Sequence, residues 1–432
     1  MSETQSIHES RPRHKPEFDG GTFTIDYLST SPNGFEVVTD KSGRRRDPIN
    51  PDNPSIRTPL PLTSEQREKL RIAMQCQMTF AEGNKAKSSL DKLRSATTDE
   101  EKAGAMAEYQ ERRTIYQKRA VPTIGLRNFR QNENTITVDI KPVDFPTYRQ
   151  FSKPYASAEL LDFASASSTS MILITKDNRL ILQHRSTRNN MYGGVPGASV
   201  AGYLRGNFES TEKGKFVPID TDFVKNDSAR EANEELGLDR EDFMTLSIVG
   251  ITHERIQVHD EFLLLGQTNL TAEEMKEKAM KTSRNRRLSE QEFDEKFVDI
   301  PATPDAIFTL LTEVKCPIPP THIAAFVVAG YYMMLEQSGI QKANEWKNIL
   351  QDTVKKNYKE IDERVKDYYN NNPSAFNEIP ERYKNTNIPK RNKNGYDPEF
   401  LPEEQGLPDL ISELKRVKLI TDSNDFSQIM KL

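Results

Sequence analysis

The stretch that most constrains this chain is Asp222 to Leu238, DFVKNDSAREANEELGL. Glu231, Glu234 and Glu235 stand at i, i+3 and i+4, so on a helix their side chains project within about 100° of one another. Ala229, Ala232 and Leu236 are expected on the opposite face as a packing stripe, and Gly237 as the left-handed stop after the last turn. Such a helix is electrostatically costly. The Glu231/Glu235 pair repels by about 0.2–0.5 kcal/mol, and anions near a helix C-terminus oppose its dipole by about 0.3–1 kcal/mol each. Arg230 offers local compensation, to Glu234 one turn on. A divalent cation with a preference for hard oxygen ligands would remove the conflict. The bland alternative for an arbitrary E-x-x-E-E is a solvated acidic face.

REANEELGL resembles the second half of the Nudix signature, G-x5-E-x7-R-E-U-x-E-E-x-G-U, where U is a bulky apolar residue. Arg230, Glu231, Glu234, Glu235, Gly237 and Leu238 match it, with Ala232 a small occupant of the first U. Asp222 stands where the pattern has its first glutamate, and Phe216 where it has its first glycine. Upstream, PGASVAGY (Pro196–Tyr203) is similar to the family's P-G-G-x-U-x-x-G-E shortened by one residue, with Ala198 for the second glycine and Tyr203 for the glutamate. On this alignment an insertion from about Leu204 to Thr221 splits the pattern. The strand ending in LQHRS (Leu182–Ser186) is similar to the family's L-Q-x-R-S strand before the P-G-G loop, which directs Gln183 and Arg185 toward the site. The plain alternative makes them polar residues of an edge strand.

The rest of the chain reads as flanks and strands around that helix. Residues 1–60, rich in Pro, Ser, Asp, Arg and Asn, read as an extended, partly disordered segment with short pieces such as FTIDYL and FEVVTD and a basic cluster at Gly43–Asp47. Residues 61–119 read as a helical hairpin opened by Thr63–Gln66 and broken near Ser95–Asp99. From Val121, TIGLRNF and NTITVDIKPV alternate as strands, with a turn at Gln131–Asn134; SMILITKDNRLILQHRS adds a hairpin around Lys176–Asn178. The apolar run Ile323–Leu335 is shorter than a membrane span requires and reads as a buried helix. A polar extension, residues 339–432, opens with an amphipathic helix over about Ile340–Tyr369, with the lone Trp346 as a packing residue. The expected organisation is therefore 1–60, 61–119, a Nudix-like unit over 120–338, and 339–432. The expected fold class is α+β: an α/β/α sandwich with a mixed sheet and helical extensions at both ends.

Composition narrows the function. A net charge of −5 gives no basic field for DNA or RNA. Cys76 and Cys316, the two cysteines, form neither a disulfide framework nor a metal pattern, and no apolar leader follows Met1. A cytoplasmic location without membrane attachment is expected, with oligomerisation possible through the helical extensions.

The resemblance implies hydrolysis of a pyrophosphate bond in a nucleoside diphosphate linked to another moiety, such as a nucleotide sugar or ADP-ribose, with Mg²⁺ or Mn²⁺. Glu234 and Glu235 would be the main metal ligands, and Glu231 a further ligand or the base that orients water. Arg230 would hold Glu234 or Glu231 in position, and Asp222 would be an auxiliary ligand. The backbone of Gly197 and Ala198 would present carbonyl oxygens or N–H groups to the metal or phosphate. A further base or ligand is expected from Glu290, Glu292 or Glu295, with Glu254 and Glu261 as alternatives. His253 and His259 read as structural or exposed. A different class remains open: a Nudix-fold binding or regulatory module without turnover, suggested by Ala198, Tyr203 and the insertion. An isomerase of the isopentenyl-diphosphate type would need a cysteine near the P-G loop, where this chain has none.

Overall fold

Apolar residues alternate along the strands that flank the split pattern, and their two faces feed two different cores. The computed structural model describes residues 18–19, 23–31, 33–39, 92–93, 95–119, 123–132, 134–143, 166–187, 189, 191–204, 219–254, 259–285, 296–378 and 395–421. The Gly43–Asp47 cluster, the first helix of the expected hairpin, Cys76, Glu290, Glu292, Glu295 and most of the insertion lie outside them.

The strands are β1 (Phe18–Asp19), β2 (Phe23–Leu28), β3 (Glu36–Thr39), β4 (Thr123–Asn132), β5 (Thr135–Val143), β6 (Ser167–Ile174), β7 (Arg179–His184), β8 (Pro196–Gly197), β9 (Val200–Tyr203), β10 (Phe243–Glu254), β11 (His259–Thr268) and β12 (Lys296–Pro301). The helices are α1 (Asp99–Arg119), α2 (Thr221–Leu236), α3 (Ala272–Asn285), α4 (Pro304–Thr312), α5 (Pro320–Asn371), α6 (Pro373–Asn377) and α7 (Leu410–Arg416). The main sheet runs β1-β2-β10-β11-β6-β7-β12, with β8 added to β7 and β9 to β6; a small sheet runs β3-β5-β4. The main sheet is mixed, since β6 and β11 are parallel while their other neighbours are antiparallel. With α2 and α3 on one face and α4 and α5 on the other, the class is α+β.

The faces follow from the pleat. Met171, Leu173, Ile181, Val200, Phe262 and Leu264 join the α2 core, while Ile172, Leu180, Leu182 and Leu263 join the α5 core. The β6–β7 turn is closed by Asp177, whose Oδ1 accepts from the Thr175 hydroxyl at 2.6 Å and from Ala272 N–H at 2.9 Å, while Asn178 takes a positive φ of 55°. That second bond ties the start of α3 to the hairpin, and Asp299 of β12 ties it again through Lys276 at 2.9 Å. The α1 start is a capping box. Glu101 Oε2 accepts from Thr97 and Thr98 N–H, and Thr98 Oγ1 accepts from Glu101 N–H.

The apolar run does form a helix, and by length and composition α5 is apolar enough to cross a membrane. Its first half is instead the central helix of one core: every residue from Ile323 to Met333 is buried. At about 1.5–3 kcal/mol for each large apolar side chain, that burial is sufficient reason for its place there. The helix breaks at Gly339 (φ 78°, ψ 172°), close to where the composition changes. A straight helix would hold residues 330 and 346 about 24 Å apart. Here the Trp346 ring lies against Gly330, so the chain reverses at Gly339 and the second half packs back on the first.

FTIDYL, an extended piece by sequence, is β2, paired with β10 in the main sheet. From the segment beyond 338, Ala343, Leu350, Val354, Leu410 and Leu414 belong to the same core as Ile323 and Phe326. Both segments are polar on average, and average composition hides the buried apolar residues each contributes.

Candidate functional site

The helix of the split pattern, α2, begins at Asp220, whose Oδ1 accepts from Phe223 N–H at 2.8 Å. It ends at Gly237 (φ 71°), with Gly237 N–H bonded to Asn233 O and Leu238 N–H to Ala232 O, the left-handed stop the sequence calls for. The buried stripe, however, is Val224, Ser228, Glu231, Ala232 and Leu236. Ala229 lies at its margin, and Glu231 sits inside it, 6% exposed. The expected division into an acidic and an apolar face therefore fails at Glu231. The reason is Gly202 in β9. A β-carbon there would stand 2.5 Å from Glu231 Cδ, so only glycine leaves room for that carboxylate over the sheet.

Arg230 gathers the acids around it. Its Nη2 lies 2.7 Å from Glu231 Oε1 and 2.8 Å from Asp227 Oδ1, its Nε donates to Asp227 at 2.9 Å, and its Nη1 lies 3.0 Å from Glu234 Oε1. Burial works against the charge of Arg230, but the Glu231 and Asp227 carboxylates outweigh it and hold the guanidinium proton more firmly than usual. Sequence reading matched Arg230 to its acids but missed Asp227, although its i−3 spacing to Arg230 was visible. Asp222 is not brought to this group. It is exposed in the first turn, about 13 Å along the axis from Glu231. There it lines an open groove with Glu36, Asn134, Asp220 and Lys225.

The upstream half of the pattern lies alongside. Gln183 is paired with Gly197 of β8 on one side and Phe297 of β12 on the other, so it is an interior-strand residue and not an edge one. It shares the α2 face with Ile181. Arg185 donates from Nε to Tyr192 O at 3.2 Å, and its stem passes Gly197. The Ala198 N–H donates to His322 Nδ1 at 3.1 Å, in a buried contact. That one donor is therefore taken by the protein.

Glu254 and Glu261 stand on the other face of the sheet. Glu261 alternates with Phe262 and Leu264 of the α2 core, and Glu254 accepts from Tyr192 of the α5 core at 2.9 Å. Neither completes a site with Glu231 across the sheet. They sandwich His259 instead, with Nδ1 at 3.2 Å from Glu254 Oε2 and Nε2 at 3.5 Å from Glu261 Oε2. The Ser170 hydroxyl donates to Glu261 Oε1 at 2.5 Å. Tyr203, where the family pattern has glutamate, places its ring 6.2 Å from that of His259. Burial raises the Glu254 carboxyl above its ordinary range, despite His259. Burial would raise Glu261 as well, but the hydrogen bond and charge of His259 pull it down to about 2. His259 is raised: burial opposes its charge, but the hydrogen bond it donates to Glu261 and the Glu254 charge prevail. Burial holds His322 neutral, down to about 3. His259 is thus neither lone nor exposed. Tyr192 and His322 were not singled out by sequence at all. On the α2 face, His253 Nδ1 pairs with the buried Asp260 at 2.9 Å.

The donor set suits Mg²⁺ or Mn²⁺ in kind, with three carboxylates over little more than one helical turn. Among the described residues no three His, Cys, Asp or Glu side chains converge as a cage. Mg²⁺ commonly takes one or two carboxylates, completing its shell with waters and substrate phosphates, so this arrangement is compatible with it.

No family model and no curated protein matches the chain. Among solved structures that match is the crystal structure of DR0079 from Deinococcus radiodurans, 14% identical, with a TM-score of 0.18. The match covers 24% of this chain and 57% of that one. At that score the likeness carries no argument about fold or function.

Proposed function

We propose that this protein is a Nudix-type pyrophosphohydrolase, acting with Mg²⁺ or Mn²⁺ on a nucleoside diphosphate linked to another group. The observation that carries the reading is the contact of Gly202 with Glu231: residues from the two halves of the split pattern, far apart in sequence, meet at one point. In this reading Glu234 and Glu235 hold the ion, with Glu231 as a further ligand or the group that orients water. When bound, the ion would offset the charge that develops on the leaving phosphate. Arg230 fixes Glu231 and Glu234 by charge-assisted hydrogen bonds, so neither carboxylate must be reoriented during reaction. Arg185, whose stem lies beside Gly197, would be the cation that meets a phosphate at the loop.

A second reading, a binding module without turnover, is favoured by Tyr203, whose ring turns to His259 where the family pattern has a carboxylate. The deciding experiment is phosphate release from nucleotide sugars, ADP-ribose, NAD, dinucleoside polyphosphates and triphosphates, with each metal. Turnover abolished by Glu234→Gln and by Glu235→Gln establishes the hydrolase. Mn²⁺ binding without turnover on any substrate selects the binding module.

A further inference from the structure

The segment Tyr192–Ala198, YGGVPGA, carries the backbone that the proposed site would use, yet little in its own sequence fixes it. Three of its seven residues are glycine, and Tyr192 (φ 54°) and Gly194 (φ 70°) are left-handed. Both of its ends nevertheless end on buried polar side chains. At the front, the Tyr192 hydroxyl donates to Glu254 Oε1 at 2.9 Å. At the back, Ala198 N–H donates to His322 Nδ1 at 3.1 Å. Behind Tyr192, His259 stands with its two ring nitrogens toward Glu254 and Glu261.

The His322 contact fixes the ring's tautomer. A nitrogen that accepts from an amide N–H carries no proton, so the ring proton is on Nε2. The fit is also close in space: a β-carbon at Gly197 would stand 2.9 Å from His322 Nδ1, so the loop passes flat against the ring. His322 and Tyr192 are 4% exposed each, and Glu254, His259 and Glu261 are 5% or less, so this network holds the loop from inside the protein and does not meet substrate.

We propose that His322 is a positioning residue. With Tyr192 as the second hold, it clamps the Tyr192–Ala198 loop so that the carbonyl side of Pro196–Ala198 is presented in one orientation to the pyrophosphate–metal unit. For its chemical purpose the inference rests on the pyrophosphohydrolase reading; the clamp itself does not.

Two arms test it, on the full-length chain. The first is hydrogen–deuterium exchange of the peptide containing Ala198, without metal or nucleotide. His322→Leu removes the acceptor and leaves the Ala198 N–H unbonded. His322→Asn keeps an acceptor oxygen near the Nδ1 position. Faster exchange of this peptide in His322→Leu and in Tyr192→Phe, with His322→Asn close to the original protein and the α2 and β11 peptides unchanged in all three, is the expected result. The second arm is steady-state phosphate release on whichever panel substrate turns over. His322→Leu is expected to lower kcat/KM about 10–100-fold, the usual cost of removing a group that orients a site from behind, and His322→Asn to restore most of it.

Unchanged exchange in His322→Leu overturns the clamp, as does an Asn variant as damaged as the Leu variant. Faster exchange with undiminished kcat/KM overturns the positioning role. If the original protein turns over nothing, the hydrolase reading fails, and with it the positioning role; the exchange arm still decides the clamp.

Discussion

Gly202 lies directly beneath the Glu231 carboxylate, with a would-be β-carbon 2.5 Å from Glu231 Cδ and 2.7 Å from its Oε1. Gly202→Ala must therefore move Glu231, and the movement would break its 2.7 Å contact with Arg230. Overpacking of this kind costs about 1–3 kcal/mol. Urea unfolding should show that loss, and metal-dependent phosphate release should fall with it. If the variant keeps both its stability and its turnover, Glu231 has no fixed place over β9 and the proposed site loses its anchor.

Arg230 is shared by Asp227, Glu231 and Glu234, so its loss exposes three carboxylates to one another. Arg230→Met is expected to destabilise by about 1–3 kcal/mol, since Glu231 is buried and its partner would be gone. Added Mn²⁺ should narrow the gap between variant and original in a thermal melt, because the cation takes over part of the neutralisation. A gap indifferent to Mn²⁺ would count against metal binding at these residues.

What was legible in the sequence was local. The α2 helix and its stop at Gly237 follow from spacing and one glycine. The β4–β5 and β6–β7 hairpins follow from alternation around polar turns. The two halves of α5 follow from the change of composition near Gly339. What was not legible depends on distant partners. Glu231 is buried because of a glycine on the far side of the insertion. Ala198 and His322 are 124 residues apart, Tyr192 and Glu254 are 62 apart, and single residues give no periodic signal. Glu254 and Glu261 were visible as carboxylates, but which sheet face they take depends on register. Register in turn depends on how β10 bulges between Ile248 and Gly250.

Glu413 gives a test of the C-terminal packing. It is buried, accepts from Lys315 N–H at 2.7 Å, and pairs with Arg416 at 2.7 Å. Burial raises its carboxyl, but the Arg416 hydrogen bond and the Lys315 amide outweigh that and leave it below the ordinary value of 4.5. A depressed carboxylate stabilises the fold above its unfolded pKa, and the contribution is lost as pH falls through the folded one. Glu413→Gln should therefore be less stable than the original protein at pH 7. The difference should shrink in urea titrations taken below about pH 4.5. A difference that does not change with pH would mean that the charge contributes nothing and only the side chain's shape matters.

The reversal of α5 can be separated into a backbone part and a packing part, because the two glycines involved differ. At Gly339 a β-carbon would meet nothing within 4 Å, but φ is 78° and ψ 172°, a region nearly closed to other residues. Gly339→Ala should cost about 1–3 kcal/mol through backbone strain alone. At Gly330 the backbone is helical and a β-carbon would stand 2.2 Å from the Trp346 ring. Gly330→Ala would gain helix propensity, worth about 1 kcal/mol, yet must push the ring away. Trp346 is the chain's single tryptophan, so its emission reports the change directly. Gly330→Ala should alter the native spectrum and destabilise, whereas Gly339→Ala should destabilise with the native emission maximum unchanged. An unaltered spectrum and raised stability in Gly330→Ala would mean that the second half of the helix does not pack back on the first, and the C-terminal segment would have to be placed elsewhere.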